Sequence, residues 1–330
     1  MKKLINGVDA VVSDALAGLA RAHPGILRVM RDPDYVVRVD APVQGRVAII
    51  SGGGSGHEPM HTGYVGYGML TAACPGPIFT SPTPDQILAA TRATNGGAGT
   101  LYIVKNYAGD LMNFEIATEM ATADGMTIAS VVVGDDVAIG ITELRRGVGA
   151  TVLIEKIAGA AAERGASLDE CARVARRAAL QSRSMGVALT ACTIPALGHP
   201  SFQLADDEIE VGIGIHGEAG CRRVGLAPVA AIVDWLCGAV ADDLRLCAGD
   251  RVLAFVNGLG ATSQLELYGV FHEVARWCTE HAFVIERNLV GNYMTSLDMA
   301  GCTVTLLRLD DELLQLWDAP VLTPALRWGM

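Results

Sequence analysis

Short apolar runs of strand length alternate with amphipathic stretches of helix length, and this alternation limits the chain to a small set of folds. Arg46–Ile50, Leu101–Val104 and Ile128–Val133 read as buried strands. Val8–His23, stopped by Pro24, reads as a helix, as do Phe114–Met120, Thr151–Glu163 and Leu168–Ser182. Thr83-Pro84-Asp85-Gln86 is a helix start, with Thr83 as N-cap, Pro84 at the first helical position and Gln86 closing a capping box. From about Met185 the texture changes. Gly186–Thr193, Ile209–Ile215, Arg251–Val256, Phe283–Asn288 and Thr303–Leu309 read as strands, and Ser263–Thr279 as a helix. The expectation is two α/β domains. The first, residues 1–184, is a mostly parallel sheet flanked by helices. The second, residues 185–330, is a smaller mixed α+β sheet domain. A length of 330 residues agrees, at roughly 100–200 residues per domain.

The formal charge of −11 argues against a nucleic-acid partner, which would need a basic face. Hydrophobic residues make up 51% of the chain, yet no apolar run reaches the roughly 20 residues that span a bilayer. Asp9 and Asp14 interrupt any signal-peptide core, so a cytoplasmic protein is expected. The eight cysteines form no C-x-x-C pair, and free buried thiols are expected rather than structural zinc.

Ser51-Gly-Gly-Gly-Ser-Gly-His57 follows the strand Arg46–Ile50. A Walker-type phosphate loop would end in Gly-Lys-Ser/Thr, but this run ends Gly56-His57-Glu58. The dinucleotide pattern G-x-G-x-x-G and the nucleophile elbow G-x-S-x-G both fail at His57. What remains is a loop of low bulk that lets backbone N–H groups approach a small ligand, or a structural turn. His57-Glu58-Pro59-Met60-His61 also spells H-E-x-x-H, with Glu115 or Glu119 as conceivable third ligands for a zinc hydrolase. Pro59 fits a helix only in its first turn, which would leave His57 outside it and break the zinc-binding face.

Lys105 and Asp110 lie just beyond the strand Leu101–Val104, where ligands gather in α/β sheets. Lys105 can serve as a Schiff-base lysine, a hydroxyl-binding donor or a surface cation. Asp110 can serve as a general base or a turn residue. In Val211-Gly-Ile-Gly-Ile-His216, strict alternation puts Gly212, Gly214 and His216 on one strand face. That face is almost bare, so His216 is either a residue that a ligand can approach or an ordinary histidine at a strand end.

The stretches SGGGSGHEPMHTGY, ACPGPIFTSPTPDQI, IVKNYAGDLMNFE, VGIGIHGEAG, ERNLVGNYMTSLDMAGCTVTLL and LWDAPVLTPALRW span almost the whole chain. Together they resemble the K subunit of dihydroxyacetone kinases. The resemblance implies that His216 forms a hemiaminal with the ketone carbon of dihydroxyacetone, and that His57 and Asp110 assist at the reacting hydroxyl. Gly54, Ser55, Gly56, His57, Lys105 and Asp110 are implied to hold the ligand. A neutral imidazole is a usable nucleophile near neutral pH, and attack on a carbonyl selects ketones over glycerol. Asp110 is then the candidate base, with His57 orienting the hydroxyl or stabilising developing charge.

Single-chain ATP-dependent relatives carry a second, nucleotide-binding domain after this region, whereas this sequence ends soon after LWDAP…TPALRW. The resemblance therefore implies that the chain itself binds no cofactor. ADP or ATP with Mg would sit on a separate L subunit, recharged by an M subunit of the phosphoenolpyruvate phosphotransferase system or by free ATP. A homodimer is also implied. Thr262-Ser263-Gln264 departs from the Thr-Pro of many relatives, and the stretch from Gly220 to Gly249 is short and Cys-rich. Both departures bear on partner docking and on the choice between a triose and a tetrulose such as erythrulose. A dihydroxyacetone-sensing transcriptional coactivator is the competing reading.

Overall fold

The protein is described here from a computed structural model covering residues 2–330. The chain forms two compact units that interleave along the sequence. The first takes residues 2–133, 151–177 and 313–330, and the second takes 134–150 and 178–312. The single boundary expected near residues 183–186 is thus replaced by crossings at 133/134, 150/151, 177/178 and 312/313. Residues 134–150 belong with the later strands, and 313–330 return to the first unit.

The first unit opens with a single 3-10 turn, Val8–Ala10, and helix α1 (Val11–Ala22). Strands β1 (Leu27–Met30), β2 (Tyr35–Arg38), β3 (Ala48–Ser55) and β4 (Ala72–Ile78) precede α2 (Pro84–Thr94). Strand β5 (Thr100–Lys105), α3 (Ala108–Ala123), β6 (Ile128–Val133), α4 (Ala150–Glu163) and α5 (Leu168–Leu180) follow. The sheet order is β1-β2-β4-β3-β5-β6. Strands β4, β3, β5 and β6 run parallel, and β1 and β2 extend the sheet antiparallel, as a mostly parallel sheet requires. Ile50, Tyr102, Val104, Ile87 and Phe114 bury their side chains between this sheet and α2 and α3. Each such burial stabilises the unit by about 1.5–3 kcal/mol. The capping box at Thr83 forms as expected: Thr83 Oγ1 accepts from Gln86 N, and Gln86 Oε1 accepts from Thr83 N.

The glycine run is not a loop. Strand β3 continues through Gly52, Gly53 and Gly54, which pair with Cys74, Pro75 and Gly76 of β4. Strand β4 itself tolerates Pro75 and Pro77 because β2 pairs with it only at Ala72 and Ala73. Beyond them Gln86 Nε2 donates to Pro75 O, covering the side that β2 leaves open.

In the second unit, β7 (Ser182–Ala188), β8 (Glu208–Val211), β9 (Arg222–Gly225), α6 (Val229–Leu244), β10 (Arg251–Gly258), α7 (Gln264–Glu280), β11 (Val284–Gly291) and β12 (Gly301–Arg308) follow in order. The sheet order is β11-β10-β12-β7-β8-β9, with β10 and β11 parallel and every other pair antiparallel. Val233, Leu236, Val240, Val256, Val274 and Val304 anchor its core. Helix α6 was not foreseen. Six of the eight thiols are buried as expected, but Cys221 and Cys247 are exposed, and all eight are free. The chain then passes through α8 (Asp311–Asp318) to a two-stranded ribbon, β13 (Val321–Leu322) and β14 (Arg327–Trp328). Within the first unit this segment is held by buried Lys156, whose Nζ donates to Leu316 O at 2.8 Å. No helix among the described residues is long and apolar enough to cross a membrane.

Candidate functional site

The parallel strands of the first unit deliver their polar residues at their carboxyl ends. Lys105 closes β5, and Asp110 lies in the first turn of α3, where a carboxylate also meets the positive end of the helix. Both side chains are buried, with Lys105 Nζ 3.3 Å from Asp110 Oδ2. Among the described residues Asp110 Oδ1 has no hydrogen-bond partner. A buried acceptor left unmatched in this way is costly unless something else meets it.

Lys105 reaches this position because β3 is bare. Its ammonium donates to Gly52 O at 3.1 Å and lies 3.0 Å from His61 Nε2. A Cβ at Gly53 would lie 2.1 Å from that ammonium. A Cβ at Gly54 would lie 2.5–2.7 Å from the backbone of Phe79 and Thr80. The glycines therefore admit a lysine and a neighbouring loop, rather than presenting a ring of N–H groups. The remaining residues of the run are also engaged. Ser55 Oγ donates to Gly76 O at 2.7 Å, and Gly56 N–H donates to Glu58 Oε2 at 2.9 Å. Gly56 takes a φ of +104°, which only glycine adopts readily.

His57 is buried and stacks on Phe79, with ring centroids 4.8 Å apart and planes at 15°. His57–His61 is a turn, not a helix, so the two imidazoles do not share the helical face that H-E-x-x-H needs. His61 turns to other partners: Nδ1 lies 2.5 Å from Glu155 Oε1 on α4 and 3.1 Å from Ser51 Oγ. Glu115 and Glu119 lie on α3. Burial, reinforced by Lys105 and His57, pushes the His61 pKa well below its ordinary value. Burial pushes Glu155 up to about 8. Sequence reasoning missed Glu155, which is distant in sequence and carries no local motif.

In the second unit, β8 ends at Val211, so His216 does not lie on a strand with Gly212 and Gly214. Burial does not alternate either: residues 211–215 are all inside, and His216 is the first that is partly exposed. Gly212 turns the chain with φ +82° and Gly217 with φ +81°. Gly217 N donates to Gly214 O, and Gly214 N to Glu218 O, each at 3.1 Å. Arg146 clamps this turn, its Nη2 donating to Gly212 O and its Nε to Asp136 Oδ2, both at 2.8 Å. A Cβ at Gly214 would meet the Glu218 carboxylate and the Arg146 guanidinium, so bareness here serves the turn itself.

Glu218 is the partner that the spacing H-G-E could have disclosed. Its Oε2 accepts from His216 N at 2.9 Å, and its Oε1 lies 2.7 Å from His216 Nδ1. Burial opposes the charge on Glu218, but the hydrogen bonds that its carboxylate accepts from His216 lower its pKa below the ordinary value. A carboxylate only accepts, so the imidazole proton sits on Nδ1 and the lone pair on Nε2. The His216 side chain is 20% exposed, which leaves the ring within reach of a small molecule.

Comparison with known proteins bears on the family and the fold. The Dak1 domain matches residues 17–325. The PEP-dependent dihydroxyacetone kinase, dihydroxyacetone-binding subunit DhaK of Escherichia coli (strain K12) is 53% identical, over 100% of both chains. Human triokinase/FMN cyclase is 43% identical over 99% of this chain and 58% of its own. Among solved structures, the dihydroxyacetone kinase operon co-activator Dha-DhaQ has a TM-score of 0.89 at 35% identity, covering 97% of this chain and 98% of that one. The native dihydroxyacetone kinase of C. freundii also has a TM-score of 0.89 at 35% identity, covering 98% of this chain and 60% of that one. Fold and sequence agree along almost the whole length, and the chain belongs to the Dak1 domain family, together with the dihydroxyacetone kinase subunits it matches.

Proposed function

We propose that this chain is the dihydroxyacetone-binding subunit of a dihydroxyacetone kinase, with His216 as the covalent residue. The observation that carries the reading is the Nδ1 contact with Glu218, which puts the lone pair on Nε2. Nε2 adds to the ketone carbon, the C=O π pair moves onto oxygen and that oxygen takes a proton from solvent. The imidazole passes its Nδ1 proton to the Glu218 carboxylate, which returns it to solvent, so the ring ends neutral and the hemiaminal carries the full mass of the ketone. No water leaves, because Nε2 has no proton to give for an imine. Asp110 accepts the proton of the terminal hydroxyl as phosphate is transferred, Lys105 and the segment Gly54–His57 hold the ligand, and His57 orients the hydroxyl.

The phosphoryl group comes from a nucleotide carried by a partner L subunit, recharged through an M subunit, and the chain works as a homodimer. Bacterial relatives named as dihydroxyacetone-binding subunits of PEP- or PTS-dependent dihydroxyacetone kinases support the dependence on phosphoenolpyruvate. The co-activator structure, at the same TM-score as the kinase, supports a second reading as a ketone sensor. The buried Lys105–Asp110 pair favours catalysis, since sensing alone needs no base. Mixing the chain with candidate L subunits and a panel of trioses and tetruloses should give phosphorylated product, dihydroxyacetone phosphate foremost. Ketone binding without product from any pairing would leave the sensor reading.

A further inference from the structure

Four ionisable side chains of the first unit stand in a row of which the proposed reaction uses only one end. Glu155 and His61 are 0% and 4% exposed. Glu155 Oε1 lies 2.5 Å from His61 Nδ1, His61 Nε2 lies 3.0 Å from Lys105 Nζ, and Lys105 Nζ lies 3.3 Å from Asp110 Oδ2. Hydrogen-bond chemistry fixes the direction along the row. An ammonium only donates, so His61 Nε2 must accept and carries no proton. The ring proton therefore sits on Nδ1. Ser51 Oγ spends its own proton on Ile103 O at 2.8 Å, so it too meets Nδ1 as an acceptor. Glu155 Oε1 receives the Nδ1–H in either of its protonation states. Burial keeps His61 neutral, and burial pushes Glu155 up to about 8. With Glu155 protonated, Lys105 and Asp110 balance each other and the buried cluster carries no net charge, which is the arrangement that desolvation favours.

We infer that His61 and Glu155 are positioning residues for Lys105 and Asp110: Glu155 orients the imidazole, and the imidazole takes one proton of the ammonium. The ammonium is thereby pinned across the bare strand, with its other protons directed at Gly52 O and Asp110. Neither His61 nor Glu155 touches substrate. The inference rests on the reading of Lys105 and Asp110 as substrate-handling groups.

Two measurements on the full chain test it. With labelled histidine, nitrogen NMR should show His61 protonated at Nδ1 and bare at Nε2 between about pH 6 and 8. A proton on Nε2, or a doubly protonated ring, overturns the inference. In turnover with the nucleotide-carrying partner, Glu155→Ala should lower kcat about 10- to 100-fold, the scale expected when a catalytic group shifts by about 1 Å. KM for the ketone should change less than about threefold. Glu155→Gln, whose amide oxygen can accept the same Nδ1–H, should recover most of the loss in kcat. Equal losses in the two variants, or a loss confined to KM, overturn the inference. The tautomer needs neither variant nor partner, so a Glu155→Ala chain that does not fold leaves that test in force. Absence of turnover in the unmodified chain would count against the kinase reading and not against the tautomer.

Discussion

A Cβ added at Gly53 would lie 2.1 Å from Lys105 Nζ, the far end of a flexible side chain. Gly53→Ala should therefore fold but swing the ammonium away, and we expect a loss of about 100-fold in kcat, the scale of a 1 Å displacement. Circular dichroism checks the fold and steady-state turnover checks the loss; turnover within about threefold of the unmodified chain would mean that Lys105 needs no fixed seat. Asp110→Asn should keep ketone binding and lose most turnover, because the amide retains the shape but cannot take the proton. Equal losses of binding and turnover would make Asp110 a holding group. Lys105 and Asp110 were legible as candidates because they follow a short apolar strand, and His216 because glycines stand at alternate positions before it. Glu155 and Arg146 were not, since each acts from another part of the chain and fits no local pattern.

Elements that are bounded by their own chemistry were the most legible. Ile128–Val133 matches β6 residue for residue, and Ser263–Thr279 contains nearly all of α7 with its N-cap. Ser263 Oγ accepts from Glu266 N, and Glu266 returns the bond to Ser263 N. The Ser263-Gln264 departure from the family's Thr-Pro is thus a sound helix start. Ser263→Ala should destabilise the first turn of α7 by about 1 kcal/mol, read as roughly fivefold faster amide exchange there. Unchanged exchange would show that packing alone holds this end. Elements built against their propensities were missed. Glycines are depleted in strands, so β3 was cut short at Ile50, and the prolines of β4 hid a strand whose missing N–H groups face an unpaired side. Strand β8 was read too long for the opposite reason. The alternation through His216 continues, but Gly212 turns the chain out of the ladder.

At the scale of the whole molecule, two α/β units were legible from the change of texture near Met185, while their interleaving was not. Returns such as 313–330 are set by long-range packing that leaves no periodic signature. Stability should also depend on pH through Glu155. Its folded pKa of about 8 lies above the ordinary 4.5, so the folded chain keeps a proton that the unfolded chain has lost. That contribution is fully present below about pH 4.5 and is lost as pH rises through about 8. Glu155→Gln cannot ionise, so its thermal midpoint should fall less than that of the unmodified chain between about pH 6 and 9. Parallel curves would show that Glu155 stays ionised in the folded chain. The central claim, that His216 Nε2 carries the ketone, is tested most directly by intact-protein mass under gentle conditions. The account predicts a gain equal to the full mass of dihydroxyacetone, lost in His216→Ala. A gain short by one water, trapped by borohydride on Lys105, or a full-mass adduct that persists in His216→Ala, would contradict it.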